Sequence, residues 1–158
     1  MKKCLVFCCL LLSVVVAAAS AQSTIFIVRH ADRADASNDA DLSDAGRTRA
    51  EALAKMLNDA NITAIYATEF RRTQQTAAPL AQALGIKVTI RPAKAADFAS
   101  TLRTVQGNAL VVGHSDTIPS LIKELGISEP ISIGRNDYDN LFEIILEEKP
   151  KLIRLHYH

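Results

Sequence analysis

Apolar residues arrive along the chain in short blocks that alternate between two periods. "TIFIV", Thr24–Val28, is an unbroken β-branched and aromatic run, the pattern of a strand buried on both faces. The polar stretch Asp32–Asp41 reads as a loop, and Ser43 stands where a helix N-cap belongs. Ala45, Ala52, Leu53, Met56 and Leu57 then supply one apolar helical face. "ITAIYAT", Ile62–Thr68, is a second strand. Ala77, Leu80, Ala81 and Leu84 mark a second helix, stopped by Gly85. Pro79 inside it removes a backbone donor and should kink the helix or end its first part.

Lys87–Ile90 predicts a short strand, Asp97–Val105 a short helix, and "ALVVG", Ala109–Gly113, another buried strand. Thr117 as cap, Pro119 in the first turn, and Leu121, Ile122 and Leu125 before Gly126 give the next helix. Leu141–Glu147 and Lys151–His158, on either side of Pro150, predict a hairpin at the sheet edge. Alternating strands and helices followed by a hairpin predict an α/β domain with a mostly parallel, mixed sheet in three α/β/α layers.

The N-terminus has a different pattern. Lys2 and Lys3, an apolar run from Cys4 to about Ala19, and the small residues Ala19-Ser20-Ala21 have the layout of a secretory signal cleaved after Ala21. The expectation is a signal peptide at 1–21, a folded domain at 22–158, a periplasmic or secreted location, and no membrane anchor after cleavage. Cys4, Cys8 and Cys9 all lie in that segment, so the domain would have no disulfide, thiol nucleophile or cysteine metal ligand. Without Lys2 and Lys3 the chain has 16 basic against 17 acidic residues. That balance argues against broad electrostatic binding of nucleic acid or of an anionic membrane, and any anion site must be local.

Three predicted strand ends carry related chemistry. The first ends in Arg29–His30, the second runs into "TEFRRTQQT" with Arg71 and Arg72 at a helix start, and "ALVVG" ends in His114. In an open α/β sheet, ligands bind beyond the carboxyl ends of the strands. Cations at a helix N-terminus oppose its dipole, which suggests that Arg71 or Arg72 has an anion to hold. Arginine's planar fork meets phosphate oxygens in pairs. A neutral imidazole can attack phosphorus, splitting one hard transfer into two. Nearby cations should keep such a histidine unprotonated. On these residues Arg29 clamps a phosphate and His30 attacks it.

"VRHADRAD", "LSDAGRTRAEAL", "YATEFRRTQQTAAPLA", "VVGHSDT" and the late "YDNLF" resemble, in order, the histidine phosphatase superfamily with its phosphoglycerate mutase-like fold. The resemblance spans about Ile25 to Asn140, and its short exported form is similar to the phosphohistidine phosphatase branch. It implies a metal-independent phosphatase with no cofactor. It also implies His30 as the nucleophile that becomes phosphohistidine, and Arg29, Arg72 and His114 as the rest of the phosphate pocket. Arg71 becomes a surface neighbour.

Two departures stand out. Ala31 occupies the position where the family usually has Gly, so a Cβ must be tolerated there. No motif places a general acid. Asp32 and Asp116 are equal candidates as proton donor and Asp97 a weaker one, and a substrate with a good leaving group such as phosphohistidine needs none.

Neither G-x-x-x-x-G-K-[ST] nor G-x-G-x-x-G is present, so neither a nucleoside triphosphate loop nor a dinucleotide site is expected. His30, His114 and an Asp lack metal-ligand spacing. His156 and His158 are expected to be solvated, and "YDN", Tyr138–Asn140, to be a turn into the edge strand. The expected partner is a small phosphorylated substrate or a phosphorylated surface glycan. A mutase and a non-catalytic phosphate-ester binder on the same fold are the competing readings. The short segment between Ile90 and Asp97 suggests an open site without a lid.

Overall fold

The computed structural model describes residues 22–93 and 97–158. The expected signal segment, with the three cysteines, lies outside the described residues. The strands are β1 (Ser23–Arg29), β2 (Ile62–Ala67), β3 (Val88–Ile90), β4 (Asn108–Gly113), β5 (Asn140–Leu146) and β6 (Lys151–His156). The helices are α1 (Asp44–Leu57), α2 (Arg71–Leu84), α3 (Phe98–Arg103) and α4 (Ile118–Glu124).

One six-stranded sheet has the order β3-β2-β4-β1-β5-β6. β1, β2, β3 and β4 run parallel, while β5 is antiparallel to β1 and carries β6 at the edge. Alternation along β1 divides its side chains between the two faces. Phe26 and Val28 pack with Leu53 and Leu57 of α1 and Leu80 of α2. Ile25 and Ile27 pack with Leu102 of α3 and Ile118 and Ile122 of α4. The result is the expected three-layer α/β/α arrangement, with β1 and β4 buried at its centre.

Three local expectations need correction. Ala45 and Met56 do not face the core: Met56 is 47% exposed, and the buried face of α1 is Gly46, Ala50, Leu53, Ala54 and Leu57. An Ala-rich helix has a weak amphipathic signal, and here small residues make the close contact instead. Pro79 does not end α2, which runs unbroken past it to the left-handed Gly85. The flanking Ala77, Leu80 and Ala81 are buried, so tertiary packing holds the helix through the missing donor. Thr117 makes no side-chain cap; its hydroxyl instead binds the backbone of His114.

Candidate active site

β1 and β4 lie side by side in parallel register with Arg29 opposite Gly113, so His30 and His114 leave the sheet together. His30 N–H donates to the Gly113 carbonyl at 2.9 Å, carrying the ladder one residue past the strand end. The His30 and His114 ring centroids are 5.4 Å apart. Three residues connect β2 to α2, which brings Arg72 to the same place, where its Nη2 lies 3.4 Å from His114 Nδ1. Arg29, His30, Arg72 and His114 are all buried, at 6%, 4%, 9% and 7% exposure. They line one cavity of about 500 Å³ together with Arg33, Glu69, Phe70, Ser115 and Asp116.

The nucleophile candidate is held by its backbone surroundings. His30 Nδ1 lies 2.8 Å from the Ala31 carbonyl, which fixes that nitrogen as the donor and leaves Nε2 with its lone pair. Ala31 N–H in turn donates to Thr76 Oγ1 at 2.9 Å, and Thr76 donates to the Arg72 carbonyl. The Ala31 Cβ departing from the family glycine is accommodated in a small buried cluster with Leu42 and Ala50. The His114 ring is oriented by Thr68, whose Oγ1 is 2.9 Å from Nε2 and which continues to Thr73. With Nε2–H donating along that chain, Nδ1 accepts from Arg72.

Neither buried guanidinium has a carboxylate partner among the described residues. Arg29 donates through Nη1 to the carbonyls of Gly134 and Arg135, and Tyr138 lies against its face at 4.1 Å. Arg72 donates to the Asn38 carbonyl and stacks on Phe70 at 4.3 Å. Arg71 is different: it is exposed, pairs with Asp41 at 2.7 Å, and its backbone N–H is capped by Asp39. The anion expected at this helix start is therefore the protein's own for Arg71, while Arg72 is left without one.

The field follows from this burial. Burial, more than the neighbouring cations, drives His30 down to about 3 and His114 down to about 4. Burial likewise lowers both Arg29 and Arg72. Two neutral imidazoles therefore stand between two charged guanidiniums at neutral pH.

Of the proton-donor candidates, the structure brings only Asp116 to the cavity. The Asp32 carboxylate pairs with Arg49 of α1 at 2.7 Å and does not line the cavity. Asp97 precedes α3 and does not line it either. Chain proximity to His30 pointed to Asp32, but the backbone turns there to form the Arg33–Leu42 bridge and directs the side chain onto α1. Arg33, Glu69 and Tyr138 escaped the sequence reading. Tyr138, expected as a turn residue, lies 5.9 Å from the His30 ring and against the Arg29 guanidinium; the "YDN" segment thus supplies both the start of β5 and an aromatic neighbour of two site residues. Glu69 Oε2 accepts from Ala93 N–H at 3.0 Å on the cavity rim. No group of three or more metal-ligating side chains is assembled among the described residues.

Three of the motifs, in order along the chain, meet at the carboxyl ends of β1, β2 and β4. Residues 25–96 match the model of the histidine phosphatase superfamily, branch 1. Similar solved structures include the protein histidine phosphatase SixA complexed with tungstate. It is 20% identical, with a TM-score of 0.72, over 84% of this chain and 96% of that one. A mycobacterial glucosyl-3-phosphoglycerate phosphatase is 14% identical with a TM-score of 0.65, over 85% and 97% of the two chains. A candidate phosphohistidine phosphatase SixA from Agrobacterium tumefaciens is 20% identical with a TM-score of 0.65, over 84% and 97%. No curated protein matches the chain. The chain thus has the histidine phosphatase fold, phosphoglycerate mutase-like, across nearly the full length of those neighbours.

Proposed function

We propose that this protein is a phosphatase that hydrolyses phosphate monoesters, or phosphohistidine, through a covalent phosphohistidine on His30. The observation that carries this reading is the pair of buried, carboxylate-free guanidiniums, Arg29 and Arg72, on either side of an imidazole with a free Nε2. An unpaired buried charge is costly, and a bound phosphate dianion would relieve two at once.

In the first step the His30 Nε2 lone pair attacks phosphorus and the bond to the ester oxygen breaks. Arg29 and Arg72 carry the charge on the equatorial oxygens, and His114 holds Arg72 in place through Nδ1. Nδ1–H stays with the Ala31 carbonyl, which stabilises the cationic phosphoimidazole. The departing oxygen takes a proton from Asp116, the candidate acid that lines the cavity. In the second step water attacks phosphorus and gives a proton back to the Asp116 carboxylate. The P–N bond breaks, phosphate leaves, and Nε2 recovers its electron pair. No step uses a metal or an organic cofactor.

On this reading the enzyme works in the periplasm or outside the cell, which the signal-like N-terminal pattern supports, on a small phosphorylated molecule or a phosphorylated surface glycan. The test is hydrolysis of 4-nitrophenyl phosphate in EDTA by wild type and His30→Ala. Turnover that survives EDTA, falls with vanadate and disappears in the variant supports the reading. Turnover lost to EDTA, or unchanged in His30→Ala, overturns it. Mass determination of the protein released by an exporting host tests cleavage after Ala21.

A further inference from the structure

A second cavity, of about 350 Å³, opens beside the phosphate site and shares Pro92, Ala93, Asp116 and Thr117 with it. Its floor is the carboxyl ends of β2 and β4, and its sides are α3 and α4. Tyr66 and Phe98 meet edge to face at 5.3 Å and form an aromatic wall. Val111, Ile118 and Leu121 complete an apolar interior. Phe98, Tyr66 and Leu121 are only half-buried, so apolar surface is left uncovered on the cavity side. The polar residues Ser120 and Glu124 are exposed, as a rim would be.

We infer that this second cavity holds the organic part of the substrate, and that the substrate is a phosphomonoester bearing an aromatic or branched aliphatic group next to its phosphate. As a substrate subsite it presupposes the phosphate site proposed above. Its size suits a group of one or two rings. The hydroxyls of a bare sugar would give up water there without finding partners on the apolar wall. Asp116 stands on the partition between the two cavities. A phosphate against His30 with its organic group against Phe98 brings the bridging oxygen to Asp116, the place where a leaving group needs its proton.

The test is calorimetric binding of two phosphonates that cannot be hydrolysed, methylphosphonate and 1-naphthylmethylphosphonate. The aromatic compound should bind about tenfold more tightly, or better. Ser120→Trp, at an exposed position on the rim, fills the cavity and should erase that difference while leaving methylphosphonate affinity within about twofold. Phe98→Ala removes the aromatic wall and should narrow the difference without the added bulk. Equal affinity of the two compounds in wild type overturns the subsite, as does a difference that survives both substitutions. A difference present as expected, together with no hydrolysis of 1-naphthyl phosphate, upholds the subsite and defeats the phosphatase reading. Hydrolysis of 4-nitrophenyl phosphate with equal phosphonate affinities does the reverse.

Discussion

Arg72→Met separates what the buried guanidinium does for the fold from what it does for a ligand. The substitution keeps an unbranched apolar stem and removes the charge. It gives up the hydrogen bond to the Asn38 carbonyl at 2.8 Å, a charged donor worth about 1.5–3 kcal/mol. It gives up the contact over Phe70 at 4.3 Å, worth about 1 kcal/mol. Against these stands the removal of a guanidinium that is 9% exposed, without a carboxylate and near Arg29; desolvating such a charge costs several kcal/mol. The opposing effects leave the unliganded variant within about 2 kcal/mol of wild type in either direction.

The response to phosphate should change far more. A ligand at ten times its Kd stabilises by about 1.4 kcal/mol, which in a domain of this size raises Tm by roughly 3–6 °C. Thermal unfolding across a phosphate titration at constant ionic strength reads both quantities. Wild type should show the shift and Arg72→Met should lose it at the same phosphate concentrations. A variant that loses more than about 4 kcal/mol unliganded, yet keeps the full phosphate shift, would make Arg72 a structural residue and refute the reasoning.

Further outcomes follow from the same geometry. With His30 held down to about 3 and His114 to about 4, neither takes up a proton between pH 7 and 5. Once substrate ionisation is allowed for, kcat/KM should show no acid limb from either histidine across that range, and one centred near 6.5 would contradict it. Because the unfolded chain does bind those protons, stability should fall as pH drops from about 6.5 towards 4, by up to about 1.4 kcal/mol per pH unit for each histidine. Chemical denaturation at several pH values gives that slope. Asp116→Asn should cut kcat about 100-fold or more on phenyl phosphate, and far less on 2,4-dinitrophenyl phosphate, whose leaving group needs no proton. Asp32→Asn should leave both rates near wild type, having lost only its partly exposed pair with Arg49. Gly46→Ala would put a Cβ 2.2 Å from the Asp32 carbonyl oxygen, so α1 and the loop after His30 must separate. Denaturation should show a loss of more than about 2 kcal/mol, with a parallel fall in kcat.

The sheet was legible because strands buried on both faces read as unbroken apolar runs. Thr24–Val28 and Ala109–Gly113 became β1 and β4, paired as the site requires. Arg29, His30 and His114 were legible because charged and imidazole side chains at a strand end break the apolar run before them, whereas Arg72 was separated from Arg71 only by the family resemblance. Side-chain direction beyond a strand end was not. Asp32 and Asp116 are equivalent in sequence, each near a site histidine, and only the Arg33–Leu42 bridge and the salt bridge to Arg49 separate them. Tyr138 is 108 residues from His30 and reaches it only because β5 pairs antiparallel with β1. Glu69 sits inside the quoted motif, but its neighbour Ala93 belongs to another connection. Long-range pairings of this kind leave no local periodicity to read.

The covalent intermediate tests the account most directly. Wild type mixed with a phosphorus-labelled aryl phosphate and quenched within one turnover in alkali should carry the label on the peptide containing His30. That label should be lost in acid and should be absent from His30→Ala. Label on another residue, or turnover by His30→Ala at the wild-type rate, would contradict the account.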